Sequence, residues 1–550
     1  MSENISTLSE RKGLDNNLFE RLVSESKKNG TPELETLREL AEEFLLGKAI
    51  TYGSASFYDF LKPSHKGKKV HICNGSACLL ANTQADLENT LKNHFKEKEI
   101  GHMCCLGRCY ENSAFQLNGQ NYSGKDLNDL GELVSKPTVN HKSYLLKSNL
   151  SQDLLTANPL SIEDYKVLFN KASRLGGDWA LAEIKRSNIR GRGGAGFPMG
   201  MKFESCKNTV AEQKYIVCNA DEGDPGAFSD RYLLEEQPLS VLFGMLIAGF
   251  ITGATRGVLY IRGEYPESIK IINATILELE QAGMHGENIL GTDFNFRFKV
   301  IEGAGAYVCG EETALLSSIE GQRPEVRIRP PYPTQEGLFR KPTIVNNVET
   351  LAAIPFIINS GGSAYSSLGT EKSAGTKLVS LDSFFNNPGV VEVEMGISFD
   401  ELIYKIGGGF KSPVKAVHVG GPLGGIVPVS EIGRLTLDFE SFQNNGFLLG
   451  HAGVVSIPKD FPMIKYLAHL FDFTAVESCG KCFPCSIGSV RGKEMIEAAI
   501  SGVSRIDKHL LNDLLETMED GSLCALGGGL PLGVKNALQY FEDELEQYFK

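Results

Sequence analysis

The chain has 550 residues, too many for one hydrophobic core, and at roughly 150 residues per domain about four domains are expected. Hydrophobic residues make up 42% and charged residues 22%, a globular composition that excludes a largely disordered chain, a collagen and a small disulfide scaffold. The 55 basic and 68 acidic side chains leave a net charge of −13, which argues against a nucleic-acid partner because phosphate binding wants a basic face.

Residues 1–60 are charged and helical in pattern. Thr31-Pro-Glu-Leu predicts a capped helix start with Thr31 as N-cap and Pro32 in the first turn. From Lys69 the texture changes. Val70-His-Ile-Cys and Gly101-His-Met predict strands around a helix over 85–95. Phe115-Gln-Leu-Asn-Gly-Gln-Asn-Tyr predicts a hairpin turning at Asn118-Gly119. Residues 132–160, with Lys136-Pro137 inside, read as a linker. From about 161 to 370 the pattern is α/β, with strands expected at 214–217, 257–261 and 296–301. The uncharged run Gln237–Thr255 is broken by three glycines and falls short of a membrane span, so a buried helix is expected. Residues 376–455 read as short strands around one helix, 399–406. Residues 460–550 are helical, ending in an acidic amphipathic helix.

Twelve cysteines need a reason, and eight of them fall in a telling pattern. The N-terminus shows neither a basic n-region nor an apolar h-region, so a reducing, cytoplasmic setting is expected, where grouped thiols argue for metal rather than disulfides. Cys73-Asn-Gly-Ser-Ala-Cys78 is followed, after 26 residues, by Cys105-Leu-Gly-Arg-Cys109. Iron–sulfur clusters take four converging thiolates with small residues beside them. Gaps of four and three residues suit a [2Fe–2S] cluster better than a zinc knuckle, whose gaps are usually two. Cys104 competes with Cys105 for this role. Cys479-Gly-Lys-Cys482-Phe-Pro-Cys485, with a distant Cys524, suits a [4Fe–4S] cube, zinc being the competitor. Cys206, Cys218 and Cys309 have no spaced partners and read as small buried residues.

Glycine is in excess, 59 of 550 residues against a usual ~7%, and nearly every glycine-rich motif lies between these groups. Gly191-Arg-Gly193-Gly194-Ala-Gly196-Phe197 matches G-x-G-x-x-G, but a helix-like stretch precedes it where a dinucleotide fingerprint needs a strand. It reads as a loop where backbone meets a flat or phosphorylated ligand, with Lys202 nearby. Asn219-Ala-Asp221-Glu222-Gly-Asp224 follows a strand, Gly310-Glu311-Glu312 ends a second glycine approach, and Asn346-Asn347-Val-Glu-Thr350 offers amides and a hydroxyl. Taken singly, the acidic run reads equally as a tight turn and the Asn pair as a cap.

In this order the motifs resemble the flavoprotein (51 kDa-type) subunit of NADH dehydrogenase over residues 160–550. The first 145 residues resemble its 24 kDa-type thioredoxin-like [2Fe–2S] partner, fused on one chain as in diaphorase subunits of NAD-reducing hydrogenases and NAD-dependent formate dehydrogenases. Ser56-Phe-Tyr-Asp-Phe fits that partner too. The resemblance implies a multidomain α/β protein. Its parts are a helical N-terminus plus thioredoxin-like cluster domain (1–145), a Rossmann-like FMN/NADH domain (146–375), a ubiquitin-like α+β insert of the soluble-ligand-binding β-grasp type (376–455) and a C-terminal helical bundle with the [4Fe–4S] cluster (456–550). It places FMN on Gly191, Gly193, Gly194, Lys202, Asn219, Asp221, Glu222, Gly310, Glu311, Asn346, Asn347 and Thr350. It places NADH on Phe197, Asp224, Glu312 and Tyr332, with a serine, Ser205, where an aromatic contact is expected.

The implied activity is hydride transfer between NAD(H) and FMN, then single electrons through one [2Fe–2S] and one [4Fe–4S] cluster to partner iron–sulfur and catalytic subunits. Glu311 and Glu312 are orienting groups; no side-chain acid or base is required. A soluble formate dehydrogenase or hydrogenase complex ranks above the NADH-input subunit of a respiratory complex I-type enzyme, because the fused first domain favours soluble assemblies. An electron-relay subunit without NADH activity and a zinc-binding interaction protein are the competing classes.

Overall fold

The computed structural model describes residues 13–15, 17–135 and 144–550. Lys136 and Pro137 of the expected linker lie outside the described residues.

The first sheet is built from β1 (Val70–Cys73), β2 (Ile100–Met103), β3 (Phe115–Leu117) and β4 (Gln120–Tyr122), in the order β2-β1-β3-β4. β1 and β2 run parallel, β3 antiparallel to β1, a thioredoxin-like arrangement. The hairpin turns at Asn118 (φ 53°) and Gly119 (φ 68°), the two left-handed residues that a type I′ turn needs. The helix expected from Thr31 begins later, at Leu34–Glu43, with an extended Glu33 as its unbonded cap. Thr31 precedes Pro32, whose ring disfavours helical backbone before it. An earlier helix, Leu18–Asn29, carries a capping box between Asn17 and Glu20. Its Leu18, Phe19 and Leu22 pack not on the first sheet but with Val217, Val258 and Ile301 of the next.

That next sheet is β6 (Tyr215–Ala220), β7 (Arg256–Ile261), β8 (Arg297–Glu302) and β9 (Thr343–Asn347), all parallel, in the order β8-β7-β6-β9. Alternation divides its side chains between two cores. Ile216, Cys218, Leu259 and Ile344 face one, which holds the apolar helix Pro238–Thr252; Val217, Val258, Ile301 and Val345 face the N-terminal helices. The uncharged run is thus a buried helix. No single helix among the described residues is long and apolar enough to cross a membrane.

The third sheet contains β5 (Leu146–Ser148), β10 (Thr376–Leu381), β11 (Gly389–Glu394), β12 (Val414–Val419), β13 (Gly425–Pro428) and β14 (Gly453–Pro458), in the order β13-β12-β14-β10-β11-β5. β5 comes from far upstream and pairs parallel with β11. The single helix expected over 399–406 is a π-helical turn, Glu401–Ile406. A completely buried ion pair, Lys377 with Glu349, ties β10 to the helix after β9.

Helices Met463–Glu477, Phe483–Ser486, Gly488–Ile500, Lys508–Gly521 and Ala525–Tyr540 form the C-terminal part. The acidic end is not one amphipathic helix. It is a short piece, Glu542–Leu545, separated from the preceding helix at Phe541, whose φ of −126° and ψ of 32° are non-helical.

Candidate functional site: a nucleotide crevice between two thiol groups

Cys73 ends β1, Cys78 lies in the helical turn Ser76–Leu80, and Cys105 and Cys109 follow β2. Cys105 Sγ is 3.4 Å from Cys109 Sγ. Cys73 is in hydrogen-bonding contact with both Cys105 and Cys78. Backbone N–H groups of Gly75 and Gly107 reach Cys73 Sγ and Cys105 Sγ, each at 3.5 Å. Hydrogen bonds from Cys109 and Cys73 hold the Cys105 thiol well below its usual range, so a thiolate is favoured there. Cys104, next to Cys105, also packs towards the second thiol group. It packs beside Phe473, Cys485 and Leu526, and burial pushes its thiol well up. No three His, Cys, Asp or Glu side chains among the described residues close on the position of a single ion. A cluster does not ask for that, since its four thiolates are shared among several irons.

The second group sits between helices. Cys479 follows Met463–Glu477, Cys482 caps the turn Phe483–Ser486, which contains Cys485, and Cys524 caps Ala525–Tyr540. Burial pushes Cys485 to about 11 and Cys524 to about 12, with neighbouring thiols adding in each case. Glu311 also raises Cys524, which brings this thiol group beside the glycine-rich loops.

Between the two groups lies the crevice. Strand order reverses between β6 and β9, since β7 lies on one side of β6 and β9 on the other; in open parallel sheets ligands bind outside the strand ends at such a switch point. Asn219 and Asp221 come from the end of β6, and Asn346 and Asn347 from the end of β9, register partners Cys218↔Asn346 and Asn219↔Asn347. The helix Gly177–Arg186 precedes the loop 190–198, so no Rossmann fingerprint opens this crevice. Gly193 crosses close to β9: a Cβ there would fall 2.9 Å from Asn347 Cβ.

The structure divides the expected flavin contacts. Asn219 Nδ2 donates to the Gly310 carbonyl at 2.7 Å. Glu222 accepts from Ser229 Oγ and the Asp230 N–H at 3.0 and 3.1 Å. Asn347 caps the helix Val348–Ala352 and donates to Asp230 Oδ2 at 2.7 Å. Thr350 Oγ1 accepts from the Arg192 N–H at 2.8 Å. Glu311 caps the helix Glu312–Ile319. Two atoms are left over: Asp221 Oδ2 and Asn346 Nδ2 are buried with no hydrogen-bond partner. Burial pushes the Asp221 carboxyl well above the usual carboxylate range, against the pull of Arg262. An unmet buried polar atom costs about 1–3 kcal/mol, so each of the two would gain from a polar ligand. The donor and acceptor edge of a flavin ring and its phosphate fit this set.

Phe197 and Tyr332 are 49% and 55% exposed. Glu312 accepts from Arg329 Nη1 at 2.8 Å and Lys202 Nζ at 3.4 Å. Lys202 also donates to the Val345 carbonyl at 2.9 Å. Ser205 Oγ donates to Thr334 Oγ1 at 2.9 Å, so the serine is held against the Tyr332 segment. Asp224 accepts from Tyr307 OH at 2.6 Å. His451 Nε2 is 2.9 Å from its other oxygen, though off the line of a straight hydrogen bond.

Tyr307, His451, Arg192 and Arg329 are absent from the sequence-derived set. Tyr307 stands inside the second glycine approach, Gly303–Cys309, and could have been noted there. His451 comes from the third sheet's module, and no local pattern links it to Asp224.

Comparison with known proteins agrees with this geometry. Residues 7–137 match the family described as thioredoxin-like [2Fe-2S] ferredoxin, residues 184–356 the Nuo51 FMN-binding domain, and residues 465–548 the NADH-ubiquinone oxidoreductase-F iron-sulfur binding region. The NADP-reducing hydrogenase subunit HndC of Solidesulfovibrio fructosivorans is 43% identical over 71% of this chain and 81% of its own length. The NAD-reducing hydrogenase HoxS subunit alpha of Cupriavidus necator is 31% identical over 89% of this chain and 85% of its own. A crystal structure of an NAD+-reducing [NiFe]-hydrogenase in the H2-reduced state superposes with a TM-score of 0.85 at 26% identity, covering 96% of this chain and 92% of that one. With FMN-binding, [2Fe–2S] and [4Fe–4S] regions on one polypeptide, the chain belongs to the family of NADH dehydrogenase-type flavoprotein subunits, in the form that carries a thioredoxin-like [2Fe–2S] domain at its N-terminal end.

Proposed function

We propose that this chain is the diaphorase subunit of a cytoplasmic formate dehydrogenase or hydrogenase complex, exchanging hydride with NAD(H) at the crevice and single electrons with partner subunits. The observation that carries the reading is the pair of orphaned atoms, Asp221 Oδ2 and Asn346 Nδ2, at the switch point between two thiol groups. The four parts set out from the sequence divide the labour: cluster domain, flavin domain, β-rich insert and helical cluster domain.

Bound FMN supplies the conversion between two-electron and one-electron transfer. In this reading Gly191, Gly193 and Gly194 bring backbone against it, and Lys202 and Thr350 supply a charge and a hydroxyl. Asn219, Asp221, Glu222, Gly310, Glu311, Asn346 and Asn347 line the ring edge and its support. Phe197 and Tyr332 offer faces for adenine, while Glu312 and Asp224 meet ribose and nicotinamide. Their task is orientation and water exclusion. Cys73, Cys78, Cys105 and Cys109 hold the [2Fe–2S] cluster, and Cys479, Cys482, Cys485 and Cys524 the [4Fe–4S] cluster. Phe483, 75% exposed, and Leu523 flank the half-buried Cys482 and Cys524, and a partner iron–sulfur subunit docks over them. The superposition over nearly the whole of a NAD+-reducing hydrogenase chain favours this assembly over a respiratory one.

The isolated chain, loaded with flavin and iron, is expected to reduce ferricyanide with NADH. Absence of turnover in a loaded sample overturns the enzyme reading and leaves a relay subunit. Asn346→Ala is expected to weaken FMN binding about tenfold, the loss of one hydrogen bond of roughly 1–1.5 kcal/mol. Flavin fluorescence titration of the apoprotein measures it, and an unchanged Kd removes Asn346 from the site.

A further inference from the structure

Three side chains of the flavin domain close over the ligand loop of the [2Fe–2S] domain. Arg231 donates through Nη1 to the carbonyls of Leu106 and Gly107, at 3.4 and 3.3 Å. Arg262 donates through Nη2 to the Cys104 carbonyl at 2.9 Å. Both guanidiniums face the ring of Tyr265, at 5.7 and 4.9 Å from its centroid. All three side chains are almost wholly buried. The two charges are compensated nearby, Arg231 by Glu235 at 3.2 Å and Arg262 by Glu264 at 2.9 Å. The clamp therefore holds the loop without leaving a buried charge unpaired.

Tyr265 is different. Its hydroxyl is buried and has no hydrogen-bond partner. A buried tyrosine normally finds one, and leaving the group unmet costs about 1–3 kcal/mol. The hydroxyl lies against Gly107, where an added Cβ would fall 3.0 Å from it and 2.9 Å from Cε1. Gly107 in turn sends its N–H to Cys105 Sγ at 3.5 Å. The flavin domain already gives this thiol group one donor, the Gly226 N–H on Cys109. A tyrosine hydroxyl carries one proton to donate, and none of the hydrogen-bonding groups around it takes that proton.

We propose that the Tyr265 hydroxyl donates a hydrogen bond to sulfur at the Cys105 corner of the bound [2Fe–2S] cluster and raises that cluster's reduction potential. The acceptor is either Cys105 Sγ or an adjoining cluster sulfide. Reduction adds negative charge to the cluster, and a donor to sulfur stabilises the reduced form more than the oxidised one. Tyr265 is thus a positioning residue of one domain acting on the cofactor of another. The inference rests on the [2Fe–2S] cluster alone, not on the nicotinamide or the partner complex.

The test is a dithionite redox titration of the full, iron-loaded chain, followed by the EPR signal of the reduced [2Fe–2S] cluster. It uses neither NADH nor a partner, so its failure is separate from failure of the proposed function. Tyr265→Phe is expected to lower the reduced-to-oxidised ratio at fixed potential about five- to tenfold, tenfold being 59 mV for one electron. Iron content and the potential of the [4Fe–4S] cluster are expected to stay the same. Incorporating 3-fluorotyrosine at position 265 keeps the hydroxyl, strengthens the donor and is expected to shift the ratio the other way. If the phenylalanine variant does not retain its cluster, the fluorotyrosine protein decides alone. An unshifted [2Fe–2S] potential in the loaded fluorotyrosine protein, or in a loaded phenylalanine variant, overturns the proposal.

Discussion

A chain carrying Cys482→Ala should hold about two iron atoms where the unaltered chain holds about six, because a [4Fe–4S] cube needs all four thiolates and the [2Fe–2S] site keeps its own. Cys482 is the middle thiol of the tight segment Cys479–Cys485. Its neighbours leave no slack for a substitute ligand. A Cβ at Gly527 would already sit 2.6 Å from Cys485 Cβ and 2.4 Å from Ser522 Oγ, so the helix carrying Cys524 cannot slide inwards. Electron delivery to a partner subunit should vanish with the cube. Cys73→Ala should do the reverse, removing two irons and leaving four. Iron analysis with EPR of the dithionite-reduced samples reads both. Six irons in the Cys482→Ala protein would mean that the four thiols are not the ligands.

Acidification should loosen the joint between the cluster domains between about pH 6.5 and pH 4. His469 lies at that joint, half-buried, and His418 is buried behind it against Tyr466. His418 Nδ1 is 2.7 Å from Tyr466 OH and its Nε2 is 3.1 Å from the Gly424 carbonyl, which makes Nε2 a donor. His469 Nε2 is 2.9 Å from Ser76 Oγ, on the loop between Cys73 and Cys78. Burial pushes both rings down to about 4. His469 adds to this for His418, while the Gly424 carbonyl and Asp224 oppose it; Asp472 opposes it for His469. Because the folded values lie below the unfolded 6.5, the unfolded chain binds more protons in this window. The stability is whole above pH 6.5 and is lost as pH falls towards 4, by up to about 3 kcal/mol for each ring. His469→Gln keeps a group able to bond Ser76 and should flatten part of the slope. The measurement is urea unfolding of the loaded chain at successive pH values. An identical slope in the variant would remove His469 as a source.

Much of the site was legible in the order of residues, for a local reason. The thiol ligands come in short runs, and Asn118-Gly119 announces its own turn because few residues accept a positive φ. The run Gln237–Thr255 reads as buried because it has no charge to place in water, and it forms the buried helix Pro238–Thr252. Other readings failed where packing decides. The acidic C-terminus has helical composition but breaks at Phe541, and Glu401–Ile406 takes a π-helical turn where an ordinary helix was expected. The strand Leu146–Ser148 carries too little pattern to be seen, because its partner β11 lies more than two hundred residues on.

Cysteine spacing by itself pointed to iron–sulfur clusters, with zinc as the competitor, and the order of the glycine loops and paired amides carried a resemblance to a flavoprotein subunit, since ligand spacing and backbone access are properties of short segments. The tertiary structure decided which groups remain free to use. It showed Glu222 and Asn347 engaged in capping, Asp221 Oδ2 and Asn346 Nδ2 left without hydrogen-bond partners, and Cys104 packed beside Phe473, Cys485 and Leu526. It also brought Tyr265, Arg231 and Arg262 against a loop more than a hundred residues earlier in the chain. Hydrogen-bond satisfaction is settled by what packs around an atom, and for these residues the surrounding atoms come from distant parts of the chain.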